Sequence, residues 1–543
     1  MARPLTRVYL LSTPLENDYQ NTISFKTPEQ QSSYFSSCVR KYFDDFSYQR
    51  KDNLLRIPMH YDDLQECNYV MYENQTPNGD NKWYYAFIKE MKYVNDERTD
   101  IIIETDVMQT WMFDYTVMAS FVEREHVEIS DDVVGYHTLD EGLAYGEYIV
   151  NAHTTPISRK KDDLCYILGT TVDPNDGSDL NGGNVYMGIY SGMKYYRYDD
   201  IASLDTALAR IDKEAKQNGA VCLFLAPKDV AVSDNLSTNH EVNQNFHPRY
   251  DNIDLHINEV LDGYTPRNKK LLCYPYNFLR VSNNAGQNAI YQYELFGGSS
   301  FRFKLYETLT PSISGRLIPL SYKGSAENFD EGLTEAKYPI CNWTSDVYTN
   351  WLTENAHNNR FDLAMGVGTM MTGVGALAFS PLTGMTSAAA GIGGIVSGVS
   401  KIFTVMNNGR KASLVPDQIH GNLNAGDVNT SMGQNTFHFY EMSVKKEYAE
   451  MIDTYFDMFG YLCNKVKVPN KNHRNHFWYT KTIDVNIGGV ENDKGVMICM
   501  IPMNDLNIIK RCYDNGITFW RDPDNMRNYS KEYCEENASN LVE

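Results

Sequence analysis

From Leu363 to Ser400 the chain reads LAMGVGTMMTGVGALAFSPLTGMTSAAAGIGGIVSGVS, 38 positions without a charged residue, inside a protein whose formal net charge is −21. No ordinary surface loop is built this way. An apolar run of this length suits a hairpin that crosses or dips into a membrane, or one buried in a core. Pro381 divides it into two arms, and Ser-Pro-Leu-Thr-Gly between them reads as a turn. Each arm of about 18 residues would reach about 27 Å as a helix, close to the hydrocarbon thickness of a membrane. The apolar side chains are Leu363, Met365, Val367, Met370, Met371, Val374, Leu377, Phe379, Pro381, Leu382, Met385, Ile392, Ile395, Val396 and Val399. Nine glycines lower both its hydropathy and its helix propensity, and Gly394 and Gly398 stand in G-x-x-x-G spacing. The composition suits a segment that changes its surroundings. A hydrophobic hairpin inside a core, or a Gly-rich loop, remains the alternative at this level.

The rest of the chain reads as globular. Its 543 residues exceed one core and call for several domains. The acidic balance excludes a protein that grips nucleic acid through clustered Lys and Arg, but not a surface past which DNA slides. Thirty-nine Tyr suit strands and interfaces. Ten scattered cysteines without a C-x-x-C pair read as free thiols of a reducing cytosol. The first twenty residues lack the long apolar core of a signal peptide.

The patterning is mainly β with some α, an α+β chain in five stretches. Residues 1–150 are β-rich. Asn81 to Tyr115 predicts a hairpin around the polar turn NDERTD, with Ile101, Ile103, Thr105 and Val107 on one face and Ile102, Glu104, Asp106 and Met108 on the other. Residues 151–270 read as an inserted peripheral domain. In it, Ile201, Leu204, Leu208 and Ile211 define an amphipathic helix, and AVCLFLAP a buried strand. Residues 271–345 return to strands. Residues 346–435 hold a helix with Trp351, the apolar segment and a Gly-rich return. Residues 436–543 form a C-terminal α/β part. There, VKKEYAEMIDTYFDMFGYLCNK predicts one helix with Tyr448, Ile452, Tyr455, Phe459 and Leu462 on its apolar face.

Catalytic chemistry finds no foothold. His473 and His476 stand at H-x-x-H without a carboxylate partner and read as a solvated basic turn. The loop DPNDGSD departs from the calcium pattern at Gly177 and Asn184. The chain has no G-x-S-x-G, no P-loop and no G-x-G-x-x-G after a strand. We read it as a non-enzyme without metal or cofactor.

Several motifs in fixed order carry a resemblance: PLENDYQNTISF (Pro14 to Phe25), NKWYYAFI (Asn81 to Ile88), DVMQTWMFDY (Asp106 to Tyr115), FVEREHV (Phe121 to Val127), DEGLAYGE (Asp140 to Glu147), LLCYPYNF (Leu271 to Phe278) and DNGITFW (Asp514 to Trp520). Together with the apolar segment they resemble the tail knob, or distal tail tube, proteins of small short-tailed bacteriophages of the Picovirinae type. The resemblance is close over residues 1–150 and looser over the last 270 or so. It implies a homohexameric ring of β-barrel tube subunits at the distal end of the virion tail, made in the host cytoplasm. It implies a lumen that passes viral DNA without binding it, and apolar loops that close the tube. On infection those loops would enter the host cytoplasmic membrane and form a pore. The implied partners are further copies of the chain, the other tail proteins (the proximal or lower collar tube and a tail-tip plug or hydrolase), and that membrane. The alternative is a tail protein whose task is receptor binding or cell-wall degradation.

Overall fold

The computed structural model describes residues 6–46, 53–74, 82–157, 161–178, 185–186, 189–190, 193–213, 219–232, 241–242, 249–298, 300–307, 309, 315–335, 338, 340–342, 436–471, 474–491 and 497–539. The fold is mostly β, 42% strand and 22% helix. The chain divides into two compact units, each assembled from separated stretches. One holds residues 1–147, 263–276 and 445–543; the other holds 148–262 and 277–444. Among the described helices are α1 (Pro28–Ser37), α2 (Ile201–Lys213), α3 (Lys446–Phe459) and α4 (Met503–Asn515).

The first unit contains a six-stranded antiparallel sheet. Its order is Val39–Phe46, Thr6–Leu11, Tyr69–Asn74, Trp83–Asn95, Arg98–Thr105, Leu54–Ile57. Both faces are apolar, because alternate side chains serve different cores. Val8, Leu10, Val70, Ala86, Ile101 and Ile103 share one cluster. Tyr69, Met71, Tyr85 and Phe87 share the other with Phe35 of α1, whose ring stacks on Tyr69 at 5.4 Å. The hairpin expected around NDERTD is present, with Asn95 paired to Arg98 across its turn. Its second strand stops at Thr105, however, and the expected alternation through Met108 fails. Asp106 caps a helical turn, Val107–Thr110, by accepting from the N–H groups of Met108 and Gln109. Tyr69 donates to the same carboxylate at 2.7 Å. Asp106, Val107 and Met108 are therefore all buried, and burial raises the Asp106 pKa to about 6.

A second sheet in this unit joins the N-terminal and C-terminal stretches. Its order is Asn21–Ile23, Ile517–Trp520, Phe477–Ile483, Ser120–Glu125, Tyr461–Lys467. Its first pair is parallel and the others are antiparallel. α3 ends at Phe459 and the next strand begins at Tyr461, so Leu462 lies on that strand and not on the predicted helical face. Gly460 enforces the break. Its φ is +66°, and a Cβ there would sit 2.1 Å from the carbonyl oxygen of Glu125. The buried stripe of α3 is Ala449, Ile452, Asp453, Phe456 and Asp457, displaced around the helix from the expected Tyr448, Tyr455 and Phe459, which are only partly buried.

The second unit has three larger sheets. One runs Tyr148–Thr154, His438–Val444, Asn277–Ser282, Asn288–Tyr291. Another runs Lys194–Tyr198, Leu164–Thr170, Ala220–Pro227, Ile340–Asn342, with α2 in its core cluster. The expected helix contacts are present: Leu204, Leu208 and Ile211 are buried and Ile201 is half-buried against them. AVCLFLAP is the expected strand, buried almost throughout. The third runs Arg249–His256, Ser300–Glu307, Arg316–Tyr322, Ser325–Glu327, and Leu333–Thr334 also pairs with Arg316–Tyr322.

Gly460→Ala tests the helix-to-strand break. A side chain in this glycine-only backbone region costs about 1–3 kcal/mol in strain before any clash with Glu125. We expect a lowered urea midpoint, and an unchanged midpoint would mean that the turn tolerates a side chain.

Candidate functional site

All fifteen apolar residues singled out between Leu363 and Val399 lie outside the described residues, as do Trp351 and the Gly-rich return. The structure does describe where the chain departs and resumes. It departs along Ile340–Asn342, whose Cys341 and Asn342 pair with Leu223 and Cys222. It resumes at Thr436 and enters His438–Val444, held between Tyr148–Thr154 and Asn277–Ser282. Phe437 and Phe439 enter the aromatic core, Phe439 lying 5.4 Å from Phe303. The intervening His438 meets His153: Nδ1 and Nε2 are 2.9 Å apart and the rings are nearly coplanar. His153 also stacks on Tyr440 at 4.6 Å. Burial, and then the neighbouring His153, lower the His438 pKa, which favours a neutral His438 in this hydrogen bond at the foot of the returning chain. With His438 Nδ1–H as donor, its buried Nε2 is a bare acceptor without a partner rather than an orphaned N–H.

The other concentration of polar groups lies inside the first unit, where α3 meets residues 264–270. Asp453 Oδ2 accepts from the Tyr264 hydroxyl at 2.7 Å and the Arg267 N–H at 2.8 Å. Its Oδ1 accepts from the Asn268 N–H at 3.0 Å and Nδ2 at 2.6 Å. Asp457 Oδ2 accepts from Arg267 Nε at 2.8 Å. Glu141 in turn accepts from Arg124, Lys270 and the Leu462 N–H, and Arg124 Nη1 donates to the Gly460 carbonyl at 2.8 Å. Burial raises the Asp457 pKa despite Arg267, and lowers that of Lys270 despite Glu141. With four donors on Asp453, its lone pairs are fully engaged. The cluster can hold chain segments together; it offers no carboxylate oxygen of Asp453 to a substrate.

His126 is a third fixed point. Its Nε2–H donates to the Asp457 carbonyl at 2.8 Å and its Nδ1 accepts from the Tyr479 N–H at 2.8 Å. A proton on Nδ1 would face another N–H. Burial and the nearby Arg474 lower its pKa to about 3.

The motifs weighed for metals are also placed. His476 stacks on Tyr533 at 4.2 Å with Nε2 3.6 Å from Glu536, and His473 lies outside the described residues. In the acidic loop, Asp173 and Asp176 accept from the N–H groups of Asn175 and Ser178. No cluster of three or more metal-ligating side chains occurs among the described residues, and no helix among them is long and apolar enough to cross a membrane. Sequence reasoning missed the Asp453 cluster. Two carboxylates four residues apart inside the apolar stripe of α3 were the signal for it.

Residues 4–116 match the family model of the caudoviral major tail protein N-terminus. Residues 233–537 match the C-terminal domain model of Bacillus phage phi29 tail knob protein gp9; the chain belongs to this tail knob family. It is 24% identical to tail knob protein gp9 of Bacillus phage phi29, over 96% of this chain and 97% of that protein. The same identity holds for the tail knob protein gp9 of Bacillus phage B103, over 94% and 95%. The solved tail knob protein gp12 of bacteriophage C1 superposes with a TM-score of 0.61 at 14% identity, covering 96% of this chain and 98% of that one.

Two predictions follow from these contacts. Asp453→Ala strands several buried donors and should cost about 3–5 kcal/mol, whereas exposed Glu450→Ala on the same helix should stay within about 0.5 kcal/mol. Denaturant unfolding of both variants measures the difference; equal stability would remove the clasp.

His126 has a folded pKa depressed below its unfolded value. The unfolded state therefore binds the extra proton first as pH falls. The stability it contributes is complete above about pH 6.5 and is lost between there and about 3. In His126→Gln that part of the acid slope should disappear from the unfolding midpoint plotted against pH.

Proposed function

We propose that the chain is the subunit of a homohexameric distal tail tube that conducts viral DNA and is closed by its apolar segments until infection. The observation that carries this reading is the uncharged 38-residue run within a tail knob family member. Six such runs gathered in one lumen would bury each other's apolar surface in the virion. Released, they would find a bilayer the next best solvent and assemble a pore in the host cytoplasmic membrane. Gly and Ala at this density permit close packing in both settings. This makes the segment a bistable element whose two states differ in what covers it.

In this reading residues 1–150 and 436–543 build the tube wall, 151–270 form a peripheral part, and 346–435 carry the membrane-active loop. The net charge of −21 supports a lumen from which DNA is repelled rather than held. The protein works without catalysis, cofactor or metal. Its partners are copies of itself, the neighbouring collar tube and tail-tip proteins, and the membrane.

Val374 and Ile395 stand near the middle of the two arms. A carboxylate at a bilayer-embedded helix centre costs about 2.5–3.5 kcal/mol on insertion scales. Val374→Asp and Ile395→Asp should give particles that adsorb yet deliver little DNA. Purified protein should release dye from liposomes, and protein lacking residues 363–400 should not. Unchanged leakage after that deletion, or wild-type infectivity of both substitutions, would sink the insertion reading. Degradation of cell walls by the same protein would point to the adsorption and hydrolysis alternative.

A further inference from the structure

The strand Tyr148–Thr154 is the edge of its sheet, paired among the described residues with His438–Val444 alone. A bulge between Val150 and Ala152 divides it. Side chains anchor the part up to the bulge. The Tyr148 ring meets Phe278 at 4.9 Å, and Asn151 Nδ2 donates to Ser443 Oγ at 2.8 Å. Beyond it, Ala152, His153 and Thr154 lie opposite Glu441, Tyr440 and Phe439. There the exposed His153 supplies the attachment: its Nε2 meets His438 Nδ1 at 2.9 Å and its ring lies on Tyr440. The next buried side chain along the chain is Ile157.

The two rings restrict where protons can sit. A hydrogen bond between the facing nitrogens needs one proton and only one, because two N–H groups repel and two bare nitrogens form no bond. His438 Nε2 is buried and has no partner. The neutral pair meets both conditions with His438 Nδ1–H as donor and Nε2 bare. An added proton then has two places to go. On His438 Nε2 it makes a buried N–H without an acceptor, and on His153 Nε2 it sets two N–H groups against each other. The ladder offers no compensation. Tyr440 lies opposite His153, Ser282 opposite His438, and Arg280 opposite Tyr440. Glu441, next to Tyr440 along the strand, alternates to the other face. The neighbouring strands thus bring that face a cation and no carboxylate, and a cation disfavours a second positive charge.

We propose that His153 and His438 form an acid-sensitive latch that holds residues 152–154 on the sheet at neutral pH and lets them go when the pair is protonated. The exposed His153 takes the proton, the rings part, and the strand end opens between the anchors at Asn151 and Ile157. Opening uncovers the backbone edge of residues 439–441, a row of groups able to pair with another strand. The closed pair resists a proton that an unperturbed histidine accepts at about pH 6.5, so the latch contributes fully above that pH and is lost as pH falls below it. It is built wholly from described residues of the second unit and does not depend on the tube reading.

The test is amide hydrogen exchange of the full-length protein at about pH 7.5 and about pH 5.5, corrected for the pH dependence of intrinsic exchange. One freed imidazole raises the opening constant about tenfold between these two conditions. Peptides covering residues 152–154 should lose protection by that factor, while the fully buried strand Leu164–Thr170 of the same unit keeps its own. His153→Gln retains an acceptor for His438 Nδ1–H and cannot titrate, so it should stay protected at the lower pH. His153→Ala should exchange fast at both. Equal protection of wild-type residues 152–154 under the two conditions overturns the proposal without recourse to a variant. A pH effect of the same size in His153→Gln overturns it too, as does a parallel loss over Leu164–Thr170, which would make the opening global.

Discussion

The Asp453 carboxylate is the point on which the first unit depends. That unit is made of three stretches of chain separated by more than a hundred residues, and the shortest, residues 263–276, has too few side chains to form a core of its own. Leu271, Leu272 and Tyr276 bury its apolar side chains, and polar contacts fix its place: Tyr264, Arg267 and Asn268 all donate to Asp453. Burying a carboxylate is unfavourable until its oxygens are saturated with donors. The carboxylate therefore accepts the middle stretch in one register and no other. Glu141 repeats the device with Arg124 and Lys270.

Periodicity made much of the fold legible. The spacing of Leu204, Leu208 and Ile211 marked a helix, and the polar turn at Asn95 to Arg98 marked a hairpin, because both signals are local. Failures occurred where a distant residue decides. Asp106 looked like the outward position of a strand, yet Tyr69 and two backbone N–H groups make it a buried cap. α3 was extended through Leu462 because nothing nearby shows that a Cβ on Gly460 would strike the Glu125 carbonyl. Its buried face shifted because Asp453 and Asp457, polar by type, have partners some 185 positions earlier.

Sites follow the same division. The apolar segment is conspicuous in the sequence because a contiguous composition needs no third dimension to be seen. The partners of Asp453 are invisible there. Tyr264, Arg267 and Asn268 are unremarkable in their own neighbourhood, and only the fold brings them to α3. The aromatic motif DNGITFW contributed to the family resemblance; in the structure its Phe519 and Trp520 each enter a buried core cluster.

The parallel pairing of Asn21–Ile23 with Ile517–Trp520 sets a rule for biosynthesis. A ribosome delivers the chain in sequence order, so the first partner is made long before the second. Residues 148–444, by contrast, are complete while the C-terminal stretch is still being made. Any product terminated before Ile517 leaves Phe477–Ile483 without one neighbour and Asn21–Ile23 with none. The sheet therefore closes only once Ile517–Trp520 has been made, and until then the edge of Phe477–Ile483 that it will cover stays open.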